Sequence, residues 1–89
     1  MSLSSREKQI SRFLSKPSDY KYDELITVLG FLGYSERKSG GRTSGSRVHF
    51  VNSNKRVISL HKPHPGNGNY VKKYAIELVI SALKESGDL

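Results

Sequence analysis

No cysteine occurs in the 89 residues, so disulfide scaffolds, zinc knuckles and thiol catalysis are excluded. Long apolar runs are missing too. The longest are a few residues, against the ~20 that a membrane-spanning helix needs. The opening Met-Ser-Leu-Ser-Ser-Arg-Glu-Lys has no apolar stretch, so no secretory signal is expected and the cytoplasm is the expected compartment. Hydrophobic residues make up only 35% of the chain, enough for one small core whose elements must cooperate. Internal repeats are absent, as are linkers long enough to separate domains.

Acidic residues are scarce, and their placement is uneven. Eight Asp and Glu face 15 Lys and Arg, a net charge of +7. None of the eight lies between Arg37 and Ile76, a stretch that carries Arg37, Lys38, Arg42, Arg47, Lys55, Arg56, Lys62, Lys72 and Lys73. One sign of charge over so long a stretch makes a positive field that attracts polyanions. A merely solubilising surface mixes both signs. Nucleic acid is the partner this pattern favours, with an acidic protein or membrane surface as alternatives.

The elements follow from local pattern. Ser4 and Glu7 fit a capping box ahead of Ile10, Phe13 and Leu14 at helical spacing, and Pro17 stops that helix. A second helix is expected over residues 23–32, with Leu25, Ile26, Leu29 and Leu32 on one face and Gly33 as a left-handed cap. Residues 34–38 read as a short edge strand. Residues 47–51 and 57–61 alternate as strands, with a turn-forming loop between them. Pro63 and Pro65 end the sheet. The last helix is expected to bury Val71, Tyr74, Ala75, Leu78, Val79, Ala82 and Leu83, with Asn69 as N-cap and Gly87 as its stop. The order is helix, helix, three strands, helix, an α+β class.

The two central strands constrain each other. Val48, Phe50, Ile58 and Leu60 must share one face, because helices have to cover them. The opposite face then holds Arg47, His49, Ser59 and His61. Pairing Phe50 with Ile58 sets His49 opposite Ser59 and Arg47 opposite His61, with opposed Cβ atoms ~5 Å apart. The next permitted register sets His49 opposite His61. Both place two imidazoles and a guanidinium on one polar face. Such a set suits RNA cleavage without metal. A base takes the 2′-hydroxyl proton, an acid protonates the leaving oxygen, and a cation steadies the phosphorane. Histidine serves either proton transfer, and arginine braces phosphate with two parallel hydrogen bonds.

Rival readings of these residues remain. A histidine on a wet sheet face is commonly inert, or a simple phosphate contact. His61, Lys62, Pro63 and His64 also invite a metal reading, but the prolines deny helical geometry and no acidic residue lies nearby to complete a ligand set. No metal or cofactor is expected. The Gly-rich run 39–46 could cradle phosphate with backbone amides, yet it has no P-loop ending. Tyr20, Tyr22, Tyr34, Tyr70 and Tyr74 are possible base-stacking platforms, with core packing preferred for Tyr74.

At Gly45-Ser46-Arg47-Val48-His49-Phe50 and Leu60-His61-Lys62-Pro63-His64-Pro65-Gly66 the sequence resembles the HicA toxin family. The resemblance runs over residues 20 to 87 and includes the helix ending in Leu-Gly-Tyr and the closing helix. It implies a fold like the double-stranded RNA-binding domain, with helices on one face of a three-stranded antiparallel sheet. It further implies an mRNA interferase, a metal-independent endoribonuclease toxin that a HicB-type antitoxin neutralises. Residues 1–19 would be a helical extension and residues 20–89 the HicA-like domain.

One departure from the family stands at the site. The usual pattern is Gly-Ser-His, with a catalytic histidine, and here that position is Arg47. His49 can substitute, or His61 can act as base with Arg47 as phosphate clamp, or the protein binds RNA without cutting it. The expected catalytic group is thus His61, His49 and Arg47. The expected RNA contacts are Arg37, Lys38, Arg42, Lys62, His64, Lys72 and Lys73.

Overall fold

A computed structural model describes residues 4–38, 47–61 and 68–89. These form three helices and one three-stranded antiparallel sheet: α1 (Ser5–Leu14), α2 (Tyr22–Phe31), β1 (Ser35–Lys38), β2 (Arg47–Val51), β3 (Val57–His61) and α3 (Lys73–Glu85). Strand order in the sheet is β1-β2-β3, so the short polar β1 is an edge, as its composition predicts. The Gly-rich run 39–46 and the two prolines after His61 lie outside the described residues.

The helix ends obey local chemistry. Ser4 Oγ accepts from the Glu7 amide at 3.1 Å and Glu7 Oε1 accepts from the Ser4 amide at 3.3 Å, completing the capping box of α1. Helix α2 begins one residue earlier than expected, at Tyr22, because Glu24 reaches back to the Lys21 amide at 2.9 Å. Gly33, at φ 91°, lets the Tyr34 amide bond the Leu29 carbonyl at 2.9 Å and closes α2 in a Schellman motif. Gly87, at φ 84°, does the same for α3 through the Asp88 amide and the Leu83 carbonyl. At the end of α1 the left-handed residue is Lys16, and the following Pro17 has no amide to complete the motif.

The start of α3 corrects an expectation. Asn69 is not its N-cap. The helix begins at Lys73 with extended Lys72 before it. The reason is an isolated antiparallel bridge between Lys21 and Tyr70. The Tyr22 amide donates to the Asn69 carbonyl at 2.9 Å, and the Val71 amide to the Tyr20 carbonyl at 2.7 Å. That pairing keeps Tyr70, Val71 and Lys72 out of the helix and delays its start. Asn69 itself adopts φ 60°, a region asparagine tolerates.

The core lies between the helices and one face of the sheet. Val48, Phe50, Ile58 and Leu60 are buried there with Leu25, Val28 and Leu29 of α2 and Ala75, Ile76, Val79, Ile80 and Leu83 of α3. The buried stripe of α3 is therefore turned from the expected one. Ile76 and Ile80 go in, while Tyr74 is 63% and Leu78 49% exposed. Both arcs of α3 are apolar and only one can meet the sheet. The arc that wins carries the β-branched Ile76, Val79 and Ile80. Helix α1 packs on α2, and its Phe13 is fully buried in the same cluster, against the Tyr20 ring at 5.7 Å. Arg12 ties the two helices through Glu24 at 2.7 Å and Asp19 at 3.2 Å.

Candidate nucleic-acid interface on the open sheet face

The register of the hairpin decides what the outer face presents. Val48 pairs with Leu60 and Phe50 with Ile58, so the buried residues oppose each other. His49 then pairs with Ser59 and Arg47 with His61, the first of the two registers expected from the pattern. The edge strand extends this ladder, because Arg37 pairs with His49. One rung therefore carries Arg37, His49 and Ser59 across all three strands. The next carries Arg47 and His61. The rung on the other side carries Ser35, Val51 and Val57.

Exposure follows alternation. Arg37, Arg47 and His61 line this face, Arg47 and His61 exposed, while His49 and Ser59 are half-buried at its centre. His49 Nδ1 lies 2.6 Å from Ser59 Oγ, a cross-strand hydrogen bond. Among the described residues this face holds no carboxylate. Glu36, the acid of β1, points the other way and accepts a short hydrogen bond from the Tyr22 hydroxyl. Burial and that bond together push the Tyr22 phenol above its usual range. The strand pattern thus separates the acid from its neighbour Arg37.

Other expected site residues lie elsewhere. Lys72 and Lys73 are exposed at the start of α3, in the helical layer rather than on the sheet face. Arg42, Lys62, His64 and the side chain of Lys38 lie outside the described residues. The tyrosines divide. Tyr20, Tyr22 and Tyr34 are buried and cannot stack on bases, a correction to that expectation. Tyr74, expected in the core, is exposed, as is Tyr70. The Lys21 ammonium sits 5.9 Å from the centre of the Tyr70 ring, so Lys21 joins Lys72 and Lys73 near the helix starts. Nothing in the sequence around Lys21 marks it for that corner. The bridge to Tyr70 places it there.

The face can bind anions through two guanidiniums and offer two imidazoles for proton transfer. Ser59 lies on it as the register requires, and the bond to His49 is what the sequence did not reveal. Among the described residues no group of three or more His, Cys, Asp or Glu could hold a metal ion, and no helix is long and apolar enough to cross a membrane. Comparison with protein-family models, with curated proteins and with solved structures gives no significant match.

Proposed function

We propose that this chain is an mRNA interferase of the HicA kind, a cytoplasmic endoribonuclease that works on the open sheet face and is neutralised by a HicB-type antitoxin. The observation that carries the reading is the ladder itself: Arg37, His49 and Ser59 on one rung, Arg47 and His61 on the next, with no carboxylate among the described residues of that face. The α+β order, with helices on one side of a three-stranded antiparallel sheet, agrees with the double-stranded RNA-binding-domain-like fold that the family resemblance implies.

The chemistry needs few components. RNA phosphate lies against Arg37 and Arg47. One imidazole takes the 2′-hydroxyl proton as that oxygen attacks the adjacent phosphorus. The bond to the 5′-oxygen breaks, and an acid gives that oxygen a proton, leaving a 2′,3′-cyclic phosphate. Among the described residues of this face, His49 and His61 are the groups able to move those protons. Arg42, Lys62 and His64 would gather the RNA backbone, and Lys72 and Lys73 would meet it only where it passes the helical layer. Each positioned acid or base is worth about 10²–10⁴ in rate.

A second reading keeps the RNA and drops the cleavage. It is favoured by Arg47, which occupies the position of the family's histidine and stands opposite His61. Incubation with single-stranded RNA in chelator separates the two. The interferase reading expects product that is lost in His49→Ala or His61→Ala. Salt-dependent binding without any product band would leave a binding module.

A further inference from the structure

We infer that Ser59 is a positioning residue, which holds His49 by Nδ1 and leaves Nε2 as the ring nitrogen that meets RNA. The inference deepens the proposed function and rests on it for its catalytic meaning. Its structural content stands on the hairpin alone.

The bond comes first. His49 Nδ1 and Ser59 Oγ are 2.6 Å apart, and both side chains are half-buried in the middle of the face. The residues are direct partners across the ladder, so the strand register sets their approach rather than a flexible loop. A serine hydroxyl can accept from Nδ1–H or donate to a bare Nδ1. Only the first keeps its sense through a proton transfer. With Nδ1–H donating to Oγ, the neutral ring presents an Nε2 lone pair as base. After proton uptake at Nε2, the imidazolium still donates the same Nδ1–H to the same oxygen. No hydroxyl has to rotate during the step.

The opposite tautomer would present Nε2–H and break its bond to Ser59 on gaining a proton at Nδ1. Arg37 is the rung partner of His49 on the β1 side, across from Ser59 on β3, so a phosphate it holds would lie at the His49 ring. His61, in contrast, is exposed at the end of β3. The base role thus falls to His49, with Ser59 as the group that orients it.

The test reads the ring directly. Imidazole ¹⁵N–¹H correlation spectra of the neutral ring are recorded for the wild type, Ser59→Ala and Ser59→Thr. The expected result is an Nδ1–H tautomer at His49 in the wild type and in Ser59→Thr, shifting towards Nε2–H in Ser59→Ala. RNA cleavage is measured beside it. Ser59→Ala should lower kcat about tenfold with KM unchanged, and Ser59→Thr should recover the rate, since a positioned base is worth about 10²–10⁴ in all. An Nε2–H tautomer in the wild type, or a tautomer and kcat indifferent to Ser59, overturns the assignment. If the wild type cuts no RNA, the nuclease reading fails separately, and the ring signals still decide what Ser59 does.

Discussion

The two faces of the sheet are written by the same three strands in alternate residues, yet they obey different rules. The inner face is judged by volume. Val48, Phe50, Ile58 and Leu60 are buried against α2 and α3, and the acid of β1, Glu36, is bonded to the Tyr22 hydroxyl. The outer face is judged by charge and reach. Arg37, Arg47 and His61 stand there around a half-buried His49–Ser59 pair. Stability and the proposed function would thereby fall on opposite sides of one ribbon, so a substitution should disturb one and spare the other.

The largest test of that division is Phe50→Ala. Phe50 is fully buried, and truncating a core phenylalanine costs about 3–5 kcal/mol. Against a total of about 5–15 kcal/mol, urea unfolding should show a domain close to collapse. Retention of the parent midpoint would mean that the inner face is not the core.

Tyr22→Phe probes the polar contact of the inner side. It removes the donor to Glu36 while keeping the ring against Phe50 at 6.3 Å. Hydrogen bonds to charged groups are worth about 1.5–3 kcal/mol, and partial exposure places the expected loss near the lower end. A double-mutant cycle with Glu36→Ala, which removes the acceptor, isolates the pair.

Acid should weaken the helical layer more than the open face. The Glu24 carboxyl is held below its usual range first by the hydrogen bond from Arg12, then by the Lys21 amide. The Asp88 carboxyl is lowered first by the Ser86 hydroxyl, then by Tyr34. Both groups bind a proton less readily folded than unfolded. Their contribution is therefore complete above the unfolded values, about 4, and fades as pH falls through the lower folded ones. The midpoint of thermal unfolding should drop over that window, and Asp88→Asn should flatten a share of the drop.

The smallest stability change is expected from Arg37→Ala with Arg47→Ala. Exposed substitutions of this kind lie within about ±0.5 kcal/mol. RNA binding should nevertheless lose about two contacts' worth of salt dependence, read as a shallower slope of log K against log salt. A large loss of stability with an unchanged slope would reverse the roles given to the two faces.

The ladder was legible because two constraints met. Alternation requires Val48, Phe50, Ile58 and Leu60 to share a side, and the turn between the strands admits few registers. Rotation of α3 was not legible in the same way. Tyr74 and Leu78 match the helical period as well as Ile76 and Ile80 do, and only the contour of the sheet chooses between the arcs. Nor does local pattern reveal a bridge between Lys21 and Tyr70, since each partner looks like a helix lead-in. The His49–Ser59 contact lay between these cases. Register puts the residues opposite each other, but the bond depends on rotamers.

The bridge between Lys21 and Tyr70 makes the chain a closed circuit. Everything that carries the proposed chemistry on the sheet hangs inside that loop, from β1 through β3, while both helices that back the sheet leave from its clasp. Closing so long a loop costs chain entropy, and that cost is offset only when the enclosed strands and α2 are packed. Opening of the clasp would therefore loosen α2 and α3 at their common root.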